Sequence, residues 1–409
     1  MIFMKILFAP IGDPKNYDEV KYRIDGKDYP SNASFKVIKE ALNMDETIVY
    51  AGLSLCTNSN YNDYVSCSNY ISNLVKDKLQ LNDESVIVAP NIYGDKFTQP
   101  DGKNTLYFDF IYYNTLKILE NEKPDEIYID ITHGINYMPL LATDAIRLAT
   151  YTYLLGRNSI DLAIFNSEPV IKGYSGPYNI ANVYSERLYV RQALLSVLMP
   201  FLSNENKNNI TNKVLKGINN CNSDLIYSNA NALFSGIFPF VLLSRREIEQ
   251  CIKSVERKIK ILDYNNFGIE FNTSHKPVYK DTMPIELSYL HSLLYIIEKI
   301  IGNMPDSSCV KISDIKDLAK RFSTSETISK LVESEIDSIE KLQNISDKPQ
   351  LLAVIKHSQS SPKSICQADK RNLLAHGGFE QNVVYLWREN GEICVNYCDC
   401  IENVRNHLK

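Results

Sequence analysis

The sequence predicts an α/β fold followed by an all-α one. An N-terminal Rossmann-like parallel sheet covered by helices gives way to a helical domain with a late β-hairpin. Three observations support this order. Through about residue 165, short apolar runs without polar alternation are interleaved with stretches of helical period, as in strands covered on both faces. A segment with two prolines and two glycines, Asn166–Tyr178, then breaks the pattern. Beyond it the 3.6-residue period prevails up to a single strand–turn–strand signal.

The expected strands of the first half are Lys5–Ala9, Thr47–Ala51, Ser85–Ala89, Glu126–Ile131 and Ile160–Phe165, each rich in Ile, Val, Leu, Tyr or Phe and bounded by turn residues. Between them, Ser34–Met44, Tyr64–Leu79, Leu106–Asn121 and Pro139–Leu154 read as helices. In the first of these, Phe35, Ile38, Ala41 and Leu42 recur at helical spacing. The break places the domain boundary so that residues 1–178 form the first domain and 179–409 the second.

In the second half, helices are expected over Arg187–Leu202, Arg245–Leu262, Ile285–Ile301, Lys311–Phe322, Glu326–Gln343 and Ser364–His376. Ile248, Cys251, Ile252, Val255, Ile259 and Leu262 form an apolar stripe opposite Lys253, Arg257 and Lys260, whose bland reading is a solvated helix face. Near the end, Val383–Arg388 and Ile393–Tyr397 flank Glu389-Asn390-Gly391-Glu392. Asn-Gly between two apolar runs signals a hairpin, because both turn positions take positive φ.

Composition narrows the function classes. The 409 residues carry 44 Lys+Arg against 49 Asp+Glu, for a net charge of −5, and 44% hydrophobic residues supply a packed core. Residues 1–180 hold 16 basic and 23 acidic side chains, and the remainder 28 and 26, so that −7 and +2 lie behind the total. An extended electrostatic nucleic-acid platform is thus disfavoured, but a narrow RNA-cutting site is not. With no apolar run of membrane-spanning length and no signal-peptide pattern at the start, the protein is expected in the cytoplasm, away from membranes. Nine scattered cysteines accordingly read as reduced thiols, mostly small core residues. Cys394-x-x-x-Cys398-x-Cys400 with His407 fits no common zinc knuckle, so no metal is assigned.

In a parallel sheet, ligands collect beyond the carboxyl ends of the strands. The loops there are Pro10–Pro14, Gly52–Asn58, Pro90–Asp95 and Asp130–Tyr137. None contains G-x-G-x-x-G or G-x-x-x-x-G-K-[ST], which disfavours a dinucleotide oxidoreductase or a P-loop enzyme. Hydroxyls, amides, backbone N–H groups and one imidazole remain, a set suited to phosphates and base edges. Thr132-His133-Gly134-Ile135-Asn136 is the richest loop. It reads equally as a binding loop or as one where Thr132 caps the next helix and His133 only hydrogen-bonds.

The sharpest chemical feature is Arg371-Asn372-x-x-x-His376-Gly377-Gly378. The glycine pair ends a helix by supplying left-handed backbone. Asn372 and His376, one turn apart, share a face, whereas Arg371 points well away from His376. Arg offers permanent charge and a fork for phosphate oxygens, His a titratable proton and Asn an orienting amide. By spacing alone an Arg and a His five apart read more readily as a surface pair; as chemistry, the trio suits metal-independent RNA cleavage by attack of the ribose 2′-OH on the adjacent phosphorus, giving a 2′,3′-cyclic phosphate. Two copies across a dimer axis would bring the sets together.

The Asp130–Pro139 stretch followed by Arg371-Asn372-x-x-x-His376 resembles the CRISPR-associated ribonucleases of type III systems, which join a CARF domain to a HEPN domain, and the resemblance spans the chain. It implies an antiviral homodimer in which paired CARF domains bind a cyclic oligoadenylate, most often cyclic tetra-adenylate. Binding activates a composite HEPN site that degrades single-stranded RNA. It carries Arg371, Asn372 and His376 into the catalytic set. Gly12, Ser54, Thr132, His133, Gly134 and Asn136 become ligand contacts, joined from the same loops by Asp13, Thr57 and Asn91. The rival readings are a ligand-responsive regulator with a non-catalytic helical module, and a nucleotide-processing enzyme centred on His133.

Overall fold

The structure, a computed structural model, describes residues 3–56, 61–91, 105–134, 137–171, 173–202, 214–215, 218–271, 277–279, 287–302, 309–357 and 365–409. The chain divides into two compact units, one of Met1–Tyr189 with Ile259–Ser288, the other of Val190–Lys258 with Tyr289–Lys409.

The first unit is built on an eight-stranded sheet of β1 (Lys5–Pro10), β2 (Val20–Ile24), β3 (Lys27–Ser31), β4 (Glu46–Gly52), β5 (Ser85–Ala89), β6 (Glu126–Asp130), β7 (Ser159–Ser167) and β8 (Tyr178–Tyr189), in the order β3-β2-β8-β7-β6-β1-β4-β5. Neighbours from β7 to β5 pair in parallel, and β1 lies between β6 and β4. Ile6, Leu7 and Phe8 of β1 are fully buried, as expected of a central strand covered on both faces. The connecting helices are α1 (Ser34–Leu42), α2 (Tyr64–Leu79), α3 (Thr105–Glu122) and α4 (Tyr137–Leu154). Every expected strand and helix of this half is present, with ends shifted by no more than two residues.

The sheet is mixed where a parallel one was expected. β8 runs antiparallel to β7, and β2–β3 form an antiparallel hairpin whose first strand pairs in parallel with β8. The Asn166–Tyr178 segment is consequently no domain boundary. It ends β7 and turns the chain back into β8, and the unit closes only after Tyr189. A two-stranded ribbon, β9 (Ile269–Phe271) and β10 (Pro277–Tyr279), belongs to the stretch that returns to this unit. In that stretch the backbone carbonyl of Leu262 accepts from Asn114 Nδ2 of α3 at 2.9 Å, and Asp263 pairs with Lys117 at 2.6 Å.

The second unit is mainly helical: α5 (Val190–Leu202), α6 (Ser223–Ser235), α7 (Phe238–Leu243), α8 (Arg245–Ile259), α9 (Leu287–Ile301), α10 (Ile312–Phe322), α11 (Glu326–Glu340), α12 (Leu352–His357), α13 (Lys370–Ala375) and α14 (Ile401–Leu408). The predicted hairpin exists as β13 (Tyr385–Glu389) and β14 (Glu392–Asn396), with Asn390 and Gly391 both at positive φ. Two short strands, β11 (Val310–Lys311) and β12 (Gln350–Leu351), extend it to a four-stranded sheet. α5 begins at Val190, not Arg187, because residues 187–189 complete β8. No described helix is long and apolar enough to cross a membrane.

The cysteines depart from the expectation of free thiols. Eight of them pair as Cys56–Cys67, Cys221–Cys251, Cys309–Cys394 and Cys366–Cys400, leaving Cys398 exposed and unpaired. The members of the Cys394/Cys398/Cys400 run part to different surroundings, so that run forms no joint site.

Candidate functional sites

Each unit carries one cluster of the expected residues. In the first, the carboxyl ends of β1, β4, β5 and β6 lead into loops at the point where strand order reverses around β1. Gly12 follows β1, and a Cβ there would stand 3.6 Å from Gly134 backbone atoms, so the β1 and β6 loops meet closely. The backbone N–H of Gly12 donates to Tyr17 Oη at 2.8 Å, and the Tyr17 ring stacks on His133 with centroids 4.4 Å apart. His133 Nε2 accepts the Ser34 backbone N–H at the start of α1 (3.3 Å), a position whose preceding residue, Ala33, offers no capping side chain.

An acceptor at Nε2 puts the ring proton on Nδ1. Burial pushes His133 below the usual imidazole range, against a smaller opposing pull from Asp130. The ring is therefore neutral and serves as a wall and a hydrogen-bonding group, not as a store of charge.

Asp130, buried at the end of β6, organises the same corner. Its Oδ2 accepts from Ser34 Oγ (2.5 Å) and its Oδ1 from both the backbone N–H and the hydroxyl of Thr132 (3.0 and 2.6 Å). Thr132 Oγ1 in turn accepts from Ser167 N at 2.9 Å, so Thr132 ties β6 to β7. Across β1, Asn91 lies over Gly52, where any Cβ would come within 2.5 Å of its amide. Asn91 Oδ1 accepts from Ser54 N (2.8 Å) and its Nδ2 donates to Ser54 Oγ (2.9 Å). Asp13 instead accepts from Lys15 N at 3.0 Å, capping a single 3-10 turn. Thr57 and Asn136 lie outside the described residues.

The structure thus groups Gly12, His133 and Gly134 on one side and Ser54 with Asn91 on the other. It adds Tyr17, Ser34, Gly52 and Asp130, to which sequence reasoning assigned no role. No single short motif contains them. They converge through strand register, and of the four only Gly52 and Asp130, which open strand-end loops, lay where the sequence pointed.

In the second unit, α13 is a six-residue helix and not the thirteen-residue Ser364–His376 expected. Asp369 caps it by accepting Asn372 N at 2.9 Å, which forces Asp369 itself out of helical geometry. Upstream, Cys366 has φ +57° and is bonded to Cys400, and Ala368 N donates to Asn403 Oδ1 at 2.9 Å. The chain therefore reaches the helix from a loop fastened to residues 400–403.

His376 terminates α13, its N–H on the Asn372 carbonyl, and Gly377 and Gly378 follow at φ +53° and +90°. The turn is packed: a Cβ on Gly378 would stand 2.6 Å from Ile237 Cγ2 and 2.8 Å from Tyr397 Oη. Tyr397 Oη donates to the Gly378 carbonyl at 3.1 Å.

This anchoring presents His376 with its side chain 45% exposed and its Nδ1 2.8 Å from Glu335 Oε1 on α11, a carboxylate 18% exposed. Because a carboxylate only accepts, Nδ1 is the donor. Nε2 is left as the nitrogen that can exchange a proton with a substrate. Arg371 and Asn372 are exposed on the same short helix, and no hydrogen bond joins Arg371 to His376 among the described residues. Glu380, buried just past the turn, has its carboxyl pushed up by burial, opposed by hydrogen bonds from Asn382 and by His376. Glu335 was not anticipated, since it lies on another helix 41 residues away.

Comparisons with known proteins match a segment of each unit. The sequence profile described as "CRISPR system endoribonuclease Csx1, CARF domain" matches residues 6–169, and that described as "CRISPR system endoribonuclease Csx1, HEPN domain" matches residues 325–399. Together they take in more than half of the chain. The curated CRISPR system endoribonuclease Csx1 of Methanocaldococcus jannaschii is 25% identical over 449 residues, covering 99% of this chain and 92% of that protein. Among solved structures, Enterococcus italicus Csm6 bound to cyclic hexa-2′-fluoro-hexa-dAMP aligns over 100% of this chain and 94% of that one. Its identity is 13% and its TM-score 0.31, too low a score to bear on the fold. With its strand-end cluster inside the first matched segment and Arg371, Asn372, His376 and Glu335 inside the second, the chain belongs to the CRISPR-associated ribonuclease family that joins a CARF domain to a HEPN domain.

Proposed function

We propose that this protein is an endoribonuclease of type III CRISPR defence, in which a cyclic oligoadenylate held by the first unit switches on cleavage of single-stranded RNA at α13 of the second. The observation that carries the reading is the His376–Glu335 pair. A half-exposed imidazole with Nδ1 fixed on a carboxylate and Nε2 available is a proton-transfer group, and Arg371 and Asn372 stand on the same helix.

In this mechanism the ribose 2′-OH attacks the neighbouring phosphorus and its proton passes to His376 or, in the second half of the step, one passes from it to the leaving 5′-oxygen. The product is a 2′,3′-cyclic phosphate, with no metal ion taking part. Arg371 opposes the charge gathering on the phosphoryl oxygens, and Asn372 orients the phosphate. Since one α13 does not join Arg371 to His376, the working site is composed from two copies across a homodimer axis.

The strand-end cluster suits a cyclic oligoadenylate. Stacked Tyr17 and His133 offer aromatic surface to a base, and the close-set Gly12 and Gly134 let a phosphate approach the backbone. A ring with two-fold symmetry on a two-fold dimer needs only half of its contacts from each chain, and cyclic tetra-adenylate is the activator of choice. Gly12, Ser54, Asn91, His133 and Gly134 are the contacts proposed, with Asp13 and Thr132 supporting the loops. A neutral, hydrogen-bonded His133 favours binding over acid catalysis at that loop.

The test incubates purified protein with end-labelled RNA in EDTA, with and without cyclic tetra-adenylate, beside His376→Ala. Ligand-stimulated cleavage in the wild type and at least about a hundredfold loss in the variant are expected. Equal cleavage by His376→Ala would overturn the catalytic assignment. Tight ring binding with no cleavage would favour the regulator, and ring breakdown lost in His133→Ala would favour chemistry at the sensor.

A further inference from the structure

We infer that Cys309, Cys394 and Glu389 form, once the cysteine pair is reduced, a site for one thiophilic divalent cation of the zinc type. The two sulfur atoms and a Glu389 carboxylate oxygen all lie within 4.8 Å of one another. Glu389 Oε2 stands 3.3 Å from Cys309 Sγ and 3.5 Å from Cys394 Sγ. A disulfide sulfur carries no hydrogen, so the oxidised pair gives this carboxylate nothing to accept. Reduction changes that, because two thiols can donate to it, and two thiolates beside it make a three-atom donor set.

The distances suit a tetrahedral ion. With metal–sulfur bonds of about 2.3 Å and a metal–oxygen bond of about 2.1 Å, the edges of the tetrahedron measure about 3.6–3.8 Å. The two sulfur–oxygen separations already approach that edge, and only the sulfurs must part. Their placement is set by strands: Cys394 lies in β14 opposite Trp387 of β13 and Lys311 of β11, Cys309 adjoins β11, and Glu389 ends β13. The Cα atoms of the cysteines are 5.4 Å apart. Cys309 and Cys394 are buried and Glu389 is exposed, so the fourth position faces water on the Glu389 side. Thiolate ligands select zinc-type ions over magnesium or calcium.

The steps balance. An external dithiol or phosphine reductant supplies two electrons, breaking the S–S bond with uptake of two protons as the reductant is oxidised. The entering cation then displaces those two protons. Oxidised, the site is a cross-link; reduced, it is a metal clasp at the same place in the sheet.

The experiment uses the full chain, reduced with a phosphine, stripped with a chelator and titrated with cobalt(II) alone. One equivalent is expected to give thiolate-to-cobalt charge transfer in the near ultraviolet with tetrahedral visible bands, both bleached by zinc. Cys309→Ser and Cys394→Ser should abolish these bands, and Cys366→Ser should retain them. Glu389→Gln, an exposed change that leaves the fold intact, should weaken binding at least about tenfold. Absence of the bands in the reduced wild type overturns the inference. So does their persistence in Cys394→Ser, or an unchanged affinity in Glu389→Gln, a readout that stands if the cysteine variants fail to fold.

Discussion

His376 owes its usefulness to a residue that no short motif contains. Arg371, Asn372 and His376 could be read from the sequence because they share one run and the glycines after them fix the helix end. Glu335 could not, because it reaches the ring from α11 across tertiary structure. A carboxylate on Nδ1 selects the tautomer and steadies the imidazolium formed in proton transfer. Glu335→Gln keeps the shape but lets the amide offer either donor or acceptor. Activated RNA cleavage should fall about 10–100-fold in kcat with little change in KM. An unchanged kcat would assign Glu335 a purely structural part.

At the scale of elements, turns decide more than helices do. Asn390-Gly391 announced its hairpin, whereas Asp25-Gly26, with the same pair of positive φ angles, joins β2 to β3 without having been noticed. Lys21, Arg23 and Asp28 interrupt the apolar pattern there, and the strands are stabilised partly by the Arg23–Asp28 ion pair. β8 escaped for a related reason. Only Tyr178, Ile180 and Leu188 of it are buried, and Val183 and Tyr189 lie exposed, so no regular alternation marks it as a strand. α13 shows the converse: its sequence looks helical well before Lys370, but the cap at Asp369 and the tie at Cys366 cut it short. The Gly377-Gly378 turn therefore bears the placement of His376. Gly378→Ala should cost roughly 2–4 kcal/mol, since the methyl group meets Ile237 and Tyr397 in backbone that non-glycine residues avoid. Calorimetric unfolding of the two proteins measures it, and a loss below about 0.5 kcal/mol would show the turn to be soft.

Over the whole molecule, charge and burial set the working pH. His291 on α9 is buried and pushed down to about 4 by desolvation, from an ordinary 6.5. Above pH 6.5 the ring is neutral in both folded and unfolded chains. Between about 6.5 and 4 the unfolded chain takes up a proton that the folded one refuses, so stability falls with pH by as much as roughly 3 kcal/mol. His133 adds in the same direction in the first unit. Melting temperatures from pH 7.5 to 4.5 should drop more steeply for the wild type than for His291→Gln, and parallel curves would refute the assignment.

The return of residues 259–288 to the first unit bears on how such a protein can be taken apart. The backbone passes from one unit to the other after Tyr189, after Lys258 and after Ser288, so neither is an uninterrupted stretch of gene. A clone stopped at Tyr189 leaves Asn114 without the Leu262 carbonyl and Lys117 without Asp263. A clone begun at Val190 carries that strip with nothing to receive it. Recombination that grafts a foreign sensor onto this nuclease must splice at three places at once. Sensor and effector are interleaved along this chain, not joined end to end.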